Sequence, residues 1–178
     1  MPKFDTRERF ERRVSAPPSV VMKTAYEFDM QSIWLIWLIV NARKLILGGS
    51  FEKRRRIGMV EETRQLGWGT LAEDQGKLIC GAVCQPWLGD VKFTPIPAYE
   101  FLDYSEPDLV KIAWTLEVSE IEPNVTLFVH EVRAVATDDA ARKKFLRYWR
   151  WARFGIVAIR LLLLPAVQRE AEREWRRR

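Results

Sequence analysis

Apolar residues recur along the chain with two different periods, and each period predicts one kind of secondary structure. Residues 6–16 alternate imperfectly between polar and apolar and end at Ala16-Pro17-Pro18-Ser19. This pattern predicts a first strand and then a helix over about 18–27 that begins at the Pro-Pro-Ser turn. A second helix is predicted over about 31–47, with Gly48-Gly49 as its C-terminal cap. Its first half is apolar on all sides, which predicts that it is buried or covers an apolar surface.

Turn residues separate the next four segments, and each of these segments has the character of a strand. The predicted strands cover about 67–74, 77–87, 110–119 and 125–136. Residues 91–105 are ambiguous because Pro95 and Pro97 interrupt them. The turn Glu122-Pro123-Asn124 separates the last two strands and predicts that they pair as an antiparallel hairpin.

The last predicted element is a long helix that begins near Thr137-Asp138-Asp139, with an Asp as N-cap, and runs to about 174. Pro165 is expected to kink or split it, and residues 175–178 are expected to form a frayed tail. Apolar residues at spacings of three or four form one stripe along it: Phe145, Tyr148, Trp149, Ala152, Ile156, Ile159 and Leu163. Basic residues lie mostly off the stripe: Arg142, Lys143, Arg147, Arg150 and Arg153.

The order of these elements predicts a single α+β domain over residues 1–178. Strands joined by tight turns form a curved antiparallel sheet, and the long helix must bury its apolar stripe against that sheet. Where helix and sheet do not touch, a cavity lies between them. Eight Trp and nine Phe residues, in a chain that is 48% hydrophobic, suit either a thick core or the wall of such a cavity.

Charge is unevenly distributed, and this affects which partners are expected. Residues 139–178 have a net charge of +8, whereas residues 1–138 have a net charge of −3. The basic excess therefore lies on one amphipathic helix, so we expect no nucleic-acid partner and keep a membrane surface as an alternative. The loop sequence Lys53-Arg54-Arg55-Arg56 is interpreted as solvated, with contact to an anion or a membrane as the other interpretation.

Few residues of the chain suit metal or nucleophile chemistry. Cys80 and Cys84 would face one side of a strand about 13 Å apart, too far for a disulfide, so free thiols in a reducing, cytoplasmic location are expected. With one histidine and no Gly-rich phosphate loop or Ser/His/Asp set, we assign no metal, cofactor or catalytic residue. The apolar run Ile33–Val40 is too short to span a membrane, and the densely charged residues 1–15 predict no secretory signal.

Two sequence blocks carry a family resemblance. One is Gly81…Pro86-Trp87, and the other runs from Glu131-Val132-Arg133 through Thr137-Asp138 to Phe145, Tyr148 and Trp149. With the element order and Ala16-Pro17-Pro18, they resemble START-like (SRPBCC) proteins of the bacterial branch grouped with polyketide cyclases, dehydrases and lipid-transport proteins. The resemblance implies a helix-grip fold, in which a curved antiparallel sheet wraps around the C-terminal helix and encloses a cavity for a hydrophobic ligand. Its motifs identify a fold branch and not a catalytic site.

The charged pair Glu131 and Arg133 is the first candidate for a polar group in the cavity. Both share a strand face with Val125, Leu127, Val129 and Val135, which predicts that they point inward, toward the long helix. Two interpretations stay open: a structural ion pair, or Arg133 holding an anionic ligand group with Glu131 as orienting or acid–base partner. His130 falls on the opposite face and is expected to be exposed.

Aromatic residues complete the predicted ligand site: Trp68, Trp87, Trp114, Tyr148 and Trp149. Trp114 is in phase with Ile112 and Leu116 and is expected to face the interior. Ordinary core packing is the alternative for each Trp on a strand. Four Trp residues accompany basic residues on helices, a mixture that suits either a core with a solvated rim or a membrane surface: Trp34, Trp37, Trp149 and Trp151.

The sequence therefore predicts a protein that binds an apolar small molecule or lipid between the sheet and the C-terminal helix. One alternative is an enzyme of the cyclase or dehydrase type in the same cavity, with Glu131 and Tyr148 as candidate acid–base groups. The other is a peripheral-membrane protein that uses the basic C-terminal helix.

Overall fold

A computed structural model describes residues 1–51 and 53–178 of the chain. Its strands are β1 (Thr6–Val14), β2 (Gly69–Glu73), β3 (Lys77–Cys84), β4 (Val110–Glu122) and β5 (Val125–Ala136). Its α-helices are α1 (Pro18–Glu27), α2 (Trp34–Ile46), α3 (Met59–Gln65), α4 (Ala98–Phe101) and α5 (Asp139–Arg176), and a short 3-10 turn covers Met30–Ser32. The predicted order of elements is confirmed, with the short helices α3 and α4 in addition.

The five strands form one antiparallel sheet in the order β1-β5-β4-β3-β2, which confirms the α+β class. Helices α1 and α5 pack on the same side of this sheet, here called the inner face. The helix-grip assignment is finer than this architecture and stays a prediction.

A one-residue shift of register interrupts the pairing of β4 with β5 between Glu120 and Glu122, beside the turn. Beyond this β-bulge, Trp114 lies opposite Val132 and Leu116 lies opposite His130. Since Trp114 and Leu116 are core residues on the inner face, the even-numbered residues of β5 also face inward. The predicted orientation of β5 is therefore wrong: His130 is inside and Glu131 and Arg133 are outside.

Helix α5 runs without interruption through Pro165, so of the two expectations for this residue the split is wrong and the kink stays a prediction. Proline removes the bond to the carbonyl of Leu161, and Leu161 is exposed, so water can reach that carbonyl. On the other side of the helix, Leu163, Leu164 and Val167 are fully buried in the core and hold both halves in place. The helix also continues to Arg176, past the predicted start of a frayed tail.

The apolar core of the described residues forms two clusters along α5. The larger one joins α1, the sheet and the C-terminal half of α5 through residues such as Val21, Leu116, Phe128 and Leu163. The smaller one joins Phe145, Tyr148 and Ala152, in the N-terminal half of α5, to Val110 and Ala134 of the sheet. The helix is thus fixed to the inner face at both of its ends.

The outer face of the sheet is also partly covered. Val83 of β3 exchanges backbone hydrogen bonds of 3.0 Å with Thr94, which brings the following segment and α4 against the strand. A Cβ atom on Gly81 would lie 2.9 Å from the Phe101 ring and 2.5 Å from Leu71 Cδ1, so glycine is required for this close approach. Both cysteines are buried free thiols, as predicted; burial raises the pKa of Cys80 to about 11 and that of Cys84 to about 12.

Helix α5 is long and apolar enough to cross a membrane: an 18-residue window has a mean hydropathy of 1.4, and 22% of that window is buried. Only its length and composition support such a crossing. The same helix packs along the sheet through its buried stripe.

Replacing Phe128 with Ala tests the larger core cluster. Phe128 is 1% exposed, so the substitution should lower the free energy of unfolding by about 3–5 kcal/mol, as expected for a buried Phe that leaves a cavity. Urea denaturation followed by circular dichroism measures it. Phe154→Ala is the matched control, because Phe154 is 67% exposed and its loss should change stability little. Equal effects of the two substitutions would contradict this description of the core.

Candidate functional site

The apolar side chains between the middle of α5 and the inner face of the sheet are less deeply buried than those at the two ends of the helix. Ile112 and Val132 on the sheet and Ile156 and Ile159 on the helix all point into this region, and each keeps an intermediate exposure to solvent. At both ends of the helix the corresponding residues are buried. Inward-facing apolar side chains midway along α5 therefore keep part of their surface accessible to water.

One charged residue lies on the inward stripe of α5 in this central region. Arg160 follows Ile156 by four residues and precedes Leu163 by three, so it shares their side of the helix. Its Nε is fully buried and lacks a hydrogen-bond partner. Within residues 1–51 and 53–178, no carboxylate or other acceptor pairs with its guanidinium. The side chain as a whole keeps an intermediate exposure, and its partial burial lowers the pKa of Arg160 to about 10, so the group stays protonated at neutral pH.

His130 faces Arg160 from the sheet. It is 3% exposed, its ring is stacked nearly parallel to that of Trp114 at 6.2 Å between centroids, and its Nδ1 has no partner. Burial, and next the positive charge of Arg160, lower the pKa of His130 well below its usual value. The imidazole is therefore neutral at pH 7, and Arg160 has no acidic partner among the residues that the structure describes.

A half-open pocket of about 350 Å³ lies beside the N-terminal half of α5. It is lined by Leu47, Trp87, Lys144, Arg147, Tyr148 and Trp151. Its walls are aromatic, because Tyr148 and Trp151 meet edge to face at 5.3 Å, and its rim is cationic. Lys144 Nζ lies 5.6 Å from the centre of the Trp87 ring.

Tyr148 is fixed in this pocket by Arg43 of α2. The Nε of Arg43 donates a hydrogen bond of 2.9 Å to the Tyr148 hydroxyl, while its Nη2 donates to the carbonyls of Pro86 and Leu88. Arg43 thereby joins α2, the end of β3 and α5. Its hydrogen bond fixes the orientation of the phenol.

Glu131 and Arg133 do not take part in the interior site. Glu131 is buried on the outer face, where Arg7 donates hydrogen bonds of 3.0 and 2.7 Å to one oxygen and Arg133 bonds the other. Arg133 also donates to the Met1 carbonyl at 2.6 Å and lies over the Phe4 ring. The structural ion pair is thus the interpretation that the geometry supports, in a place other than the one predicted. An acid–base role of Glu131 in the cavity loses its basis.

Burial raises the pKa of Glu131, but hydrogen bonds from Arg7 and Arg133, together with the charges of both, outweigh this effect and hold the pKa below its usual value. The carboxylate is thus stabilised in its ionised form, as expected for a structural network that closes the N-terminal segment over the sheet.

The remaining predicted site residues separate into three groups. Trp114 is in the core as predicted, next to His130. Trp87 and Tyr148 meet in the half-open pocket, and Trp149 packs beside it in the smaller core cluster. Trp68 packs against the larger core cluster and against Phe93, with ring centroids 4.8 Å apart.

Arg160 and His130 were not among the predicted site residues. A signal for Arg160 was present, since this position interrupts the apolar stripe between Ile156 and Leu163. For His130 the signal was absent, because its orientation depends on the bulge between Glu120 and Glu122. Within the described part of the chain, no group of three or more His, Cys, Asp or Glu residues is arranged to hold a metal ion.

Comparisons of this chain with family models, with curated proteins and with solved structures give no match. The START-like resemblance therefore stays a prediction, and any function must be argued from the geometry of the site.

Replacing Glu131 with Gln tests the outer-face network. The variant should lose about 1–3 kcal/mol of unfolding free energy at pH 7, because its neutral amide cannot replace the charged hydrogen bonds. Because folding lowers the pKa of Glu131, its carboxylate stabilises the folded protein at pH values above the ordinary carboxyl pKa of about 4.3. This stabilisation is lost as the pH falls through the lowered pKa. Urea denaturation at neutral and acidic pH should therefore show the two proteins converging in acid.

Glu117→Gln is the matched control for this experiment, since Glu117 makes a solvent-exposed ion pair of 3.0 Å with Lys77 on the same face. Its effect should be below about 1 kcal/mol. A Glu131→Gln variant as stable as the parent at pH 7 would contradict a structural role.

Proposed function

We propose that the protein binds a hydrophobic small molecule with one anionic group, held between the sheet and α5. Arg160 is the observation that carries this proposal: a protonated side chain of intermediate exposure, with a buried and unpartnered Nε among apolar residues and no acidic partner among the described residues. An uncompensated buried cation is costly, and a ligand carboxylate or similar anion would supply the missing partner.

The apolar part of the ligand is supported by the surroundings of Arg160. Inward-facing side chains of the same central region are aliphatic and keep intermediate exposure: Ile112, Val132, Ile156 and Ile159. Neutral His130, with an unpartnered Nδ1, adds one group that can hydrogen-bond the ligand without adding charge. An amphipathic ligand matches this combination better than a polar metabolite.

The aromatic pocket beside Tyr148 supports an entrance at one end of this space. It borders the smaller core cluster, and its rim contains exposed Arg147 together with Lys144, which is paired with Asp108 at 2.7 Å. An anionic amphiphile would be attracted to this rim before it enters.

Arg160→Met is the test that separates ligand binding from structure. In the absence of ligand the variant should unfold at higher urea than the parent, because it loses a buried charge that has no partner. Its affinity for an anionic amphiphile should nevertheless fall at least roughly tenfold, since a hydrogen bond to a charged group contributes roughly 1.5–3 kcal/mol. A merely structural arginine would lower stability and binding together.

Dodecanoate and dodecanol are suitable probes, because they share one tail and differ in charge. Displacement of a fluorescent apolar dye should show the parent preferring dodecanoate, and Arg160→Met losing that preference while it still binds dodecanol. Arg169→Met is the control, since Arg169 is exposed on the same helix. If the parent binds neither probe, or if Arg160→Met keeps the preference, this proposal is wrong.

A further inference from the structure

The outer side of α2 is an exposed apolar stripe. Trp34, Leu38, Ala42 and Leu45 recur at helical spacing, and Ile46 lies beside them. All five are exposed, with Trp34 at 64%, Leu45 at 62% and Ile46 at 70%. Globular proteins rarely leave a contiguous apolar face of this kind in water, and such a face marks an interaction site.

Helix α5 extends this surface. Its Gly155 lies against α2, where a Cβ atom would come within 3.1 Å of Ile39 Cγ2, so the two helices approach closely. Near this contact α5 exposes Phe154 at 67% and Leu161 at 56%. We call the exposed apolar residues of both helices the α2–α5 surface: Trp34, Leu38, Ala42, Leu45, Ile46, Phe154 and Leu161.

Basic residues accompany the α2–α5 surface almost without acidic ones. Residues 140–169 contain eight Lys and Arg and no Asp or Glu, and residues 33–60 contain six against the single Glu52. Arg147, Arg150 and Arg153 are exposed on α5. Beyond the end of α2, a second recess of about 350 Å³ is lined by basic side chains including Lys53 and Arg54, with exposed Phe51 in its wall.

This combination distinguishes between the candidate partners. A second copy of the chain would bring the same basic residues together, and like charges across an interface oppose association. The phosphates of a nucleic acid would pair with the basic residues, but they would make no favourable contact with the apolar stripe of α2. A bilayer with anionic lipids satisfies both, because its acyl boundary accepts the apolar side chains and its headgroups attract the cations.

The geometry points to a peripheral contact rather than a crossing. Leu163, Leu164 and Val167 of α5 are buried against the core, so a membrane-spanning α5 would have to detach from the sheet. Arg160 would also be placed near the middle of the span. A surface contact through the opposite side of α5 leaves the fold intact.

We propose that the α2–α5 surface docks the protein on the face of an anionic lipid bilayer, with the apolar side chains inserted and the surrounding basic residues at the headgroups. This inference does not depend on the proposed ligand, since it rests on exposed residues and not on the interior.

Vesicle flotation of the full chain tests the docking, with vesicles of phosphatidylcholine alone and of phosphatidylcholine mixed with phosphatidylserine. The parent should float with the mixed vesicles and much less with the neutral ones. Leu38→Glu/Leu45→Glu should reduce this binding by about a hundredfold, since each inserted Leu contributes about a factor of ten or more. Arg150→Gln/Arg153→Gln should mainly reduce the preference for phosphatidylserine.

Leu102→Glu/Ile121→Glu is the matched control, because these exposed apolar residues lie away from α2 and α5. It should bind as the parent does, and thermal unfolding checks that all variants are folded. Failure of the parent to float with mixed vesicles at low salt overturns the proposal. The proposal is also overturned if sedimentation detects a dimer that Leu38→Glu/Leu45→Glu dissociates. Binding to duplex DNA that these substitutions leave unchanged would overturn it as well.

Discussion

A one-residue register shift between β4 and β5 determines which polar groups lie inside this protein. Beyond the bulge at Glu120–Glu122, β5 presents His130 to the interior and Glu131 to the outer face. A register without the shift would exchange these two residues and bury a carboxylate in the space under α5. Glu131 would then be available to Arg160 as a counter-ion. Because the bulge places it among Arg7 and Arg133 instead, Arg160 has no acidic partner among the described residues.

The position of α5 makes Arg160 part of a candidate binding site. The two ends of the helix are fixed to the sheet by separate core clusters, and the apolar side chains between them are less deeply buried. Arg160 lies in that middle region, opposite neutral His130. An anionic group of a ligand would complete the missing ion pair, and apolar side chains around it would bind the remainder of the molecule.

The interior site and the α2–α5 surface have a similar chemical character. Both combine apolar side chains with unbalanced positive charge, one in the interior and the other on the exterior of the same helix. A protein that docks on an anionic bilayer would meet amphipathic anions there, and the aromatic pocket with Lys144 and Arg147 lies beside the docking helices. The two proposals are nevertheless supported by different residues and can fail independently.

The sequence by itself determined the order of elements, the limits of β5, the start of α5 and the inward orientation of Trp114, because these follow from local periodicity and from turn residues close in the chain. It also contained Arg160 within an apolar stripe. Only the tertiary structure decided the orientation of β5, since both of its faces are largely apolar and a single bulge selects between them. The continuity of α5 through Pro165 was likewise decided by packing, because buried neighbours such as Leu164 hold the helix together across a residue whose local preference is to interrupt it.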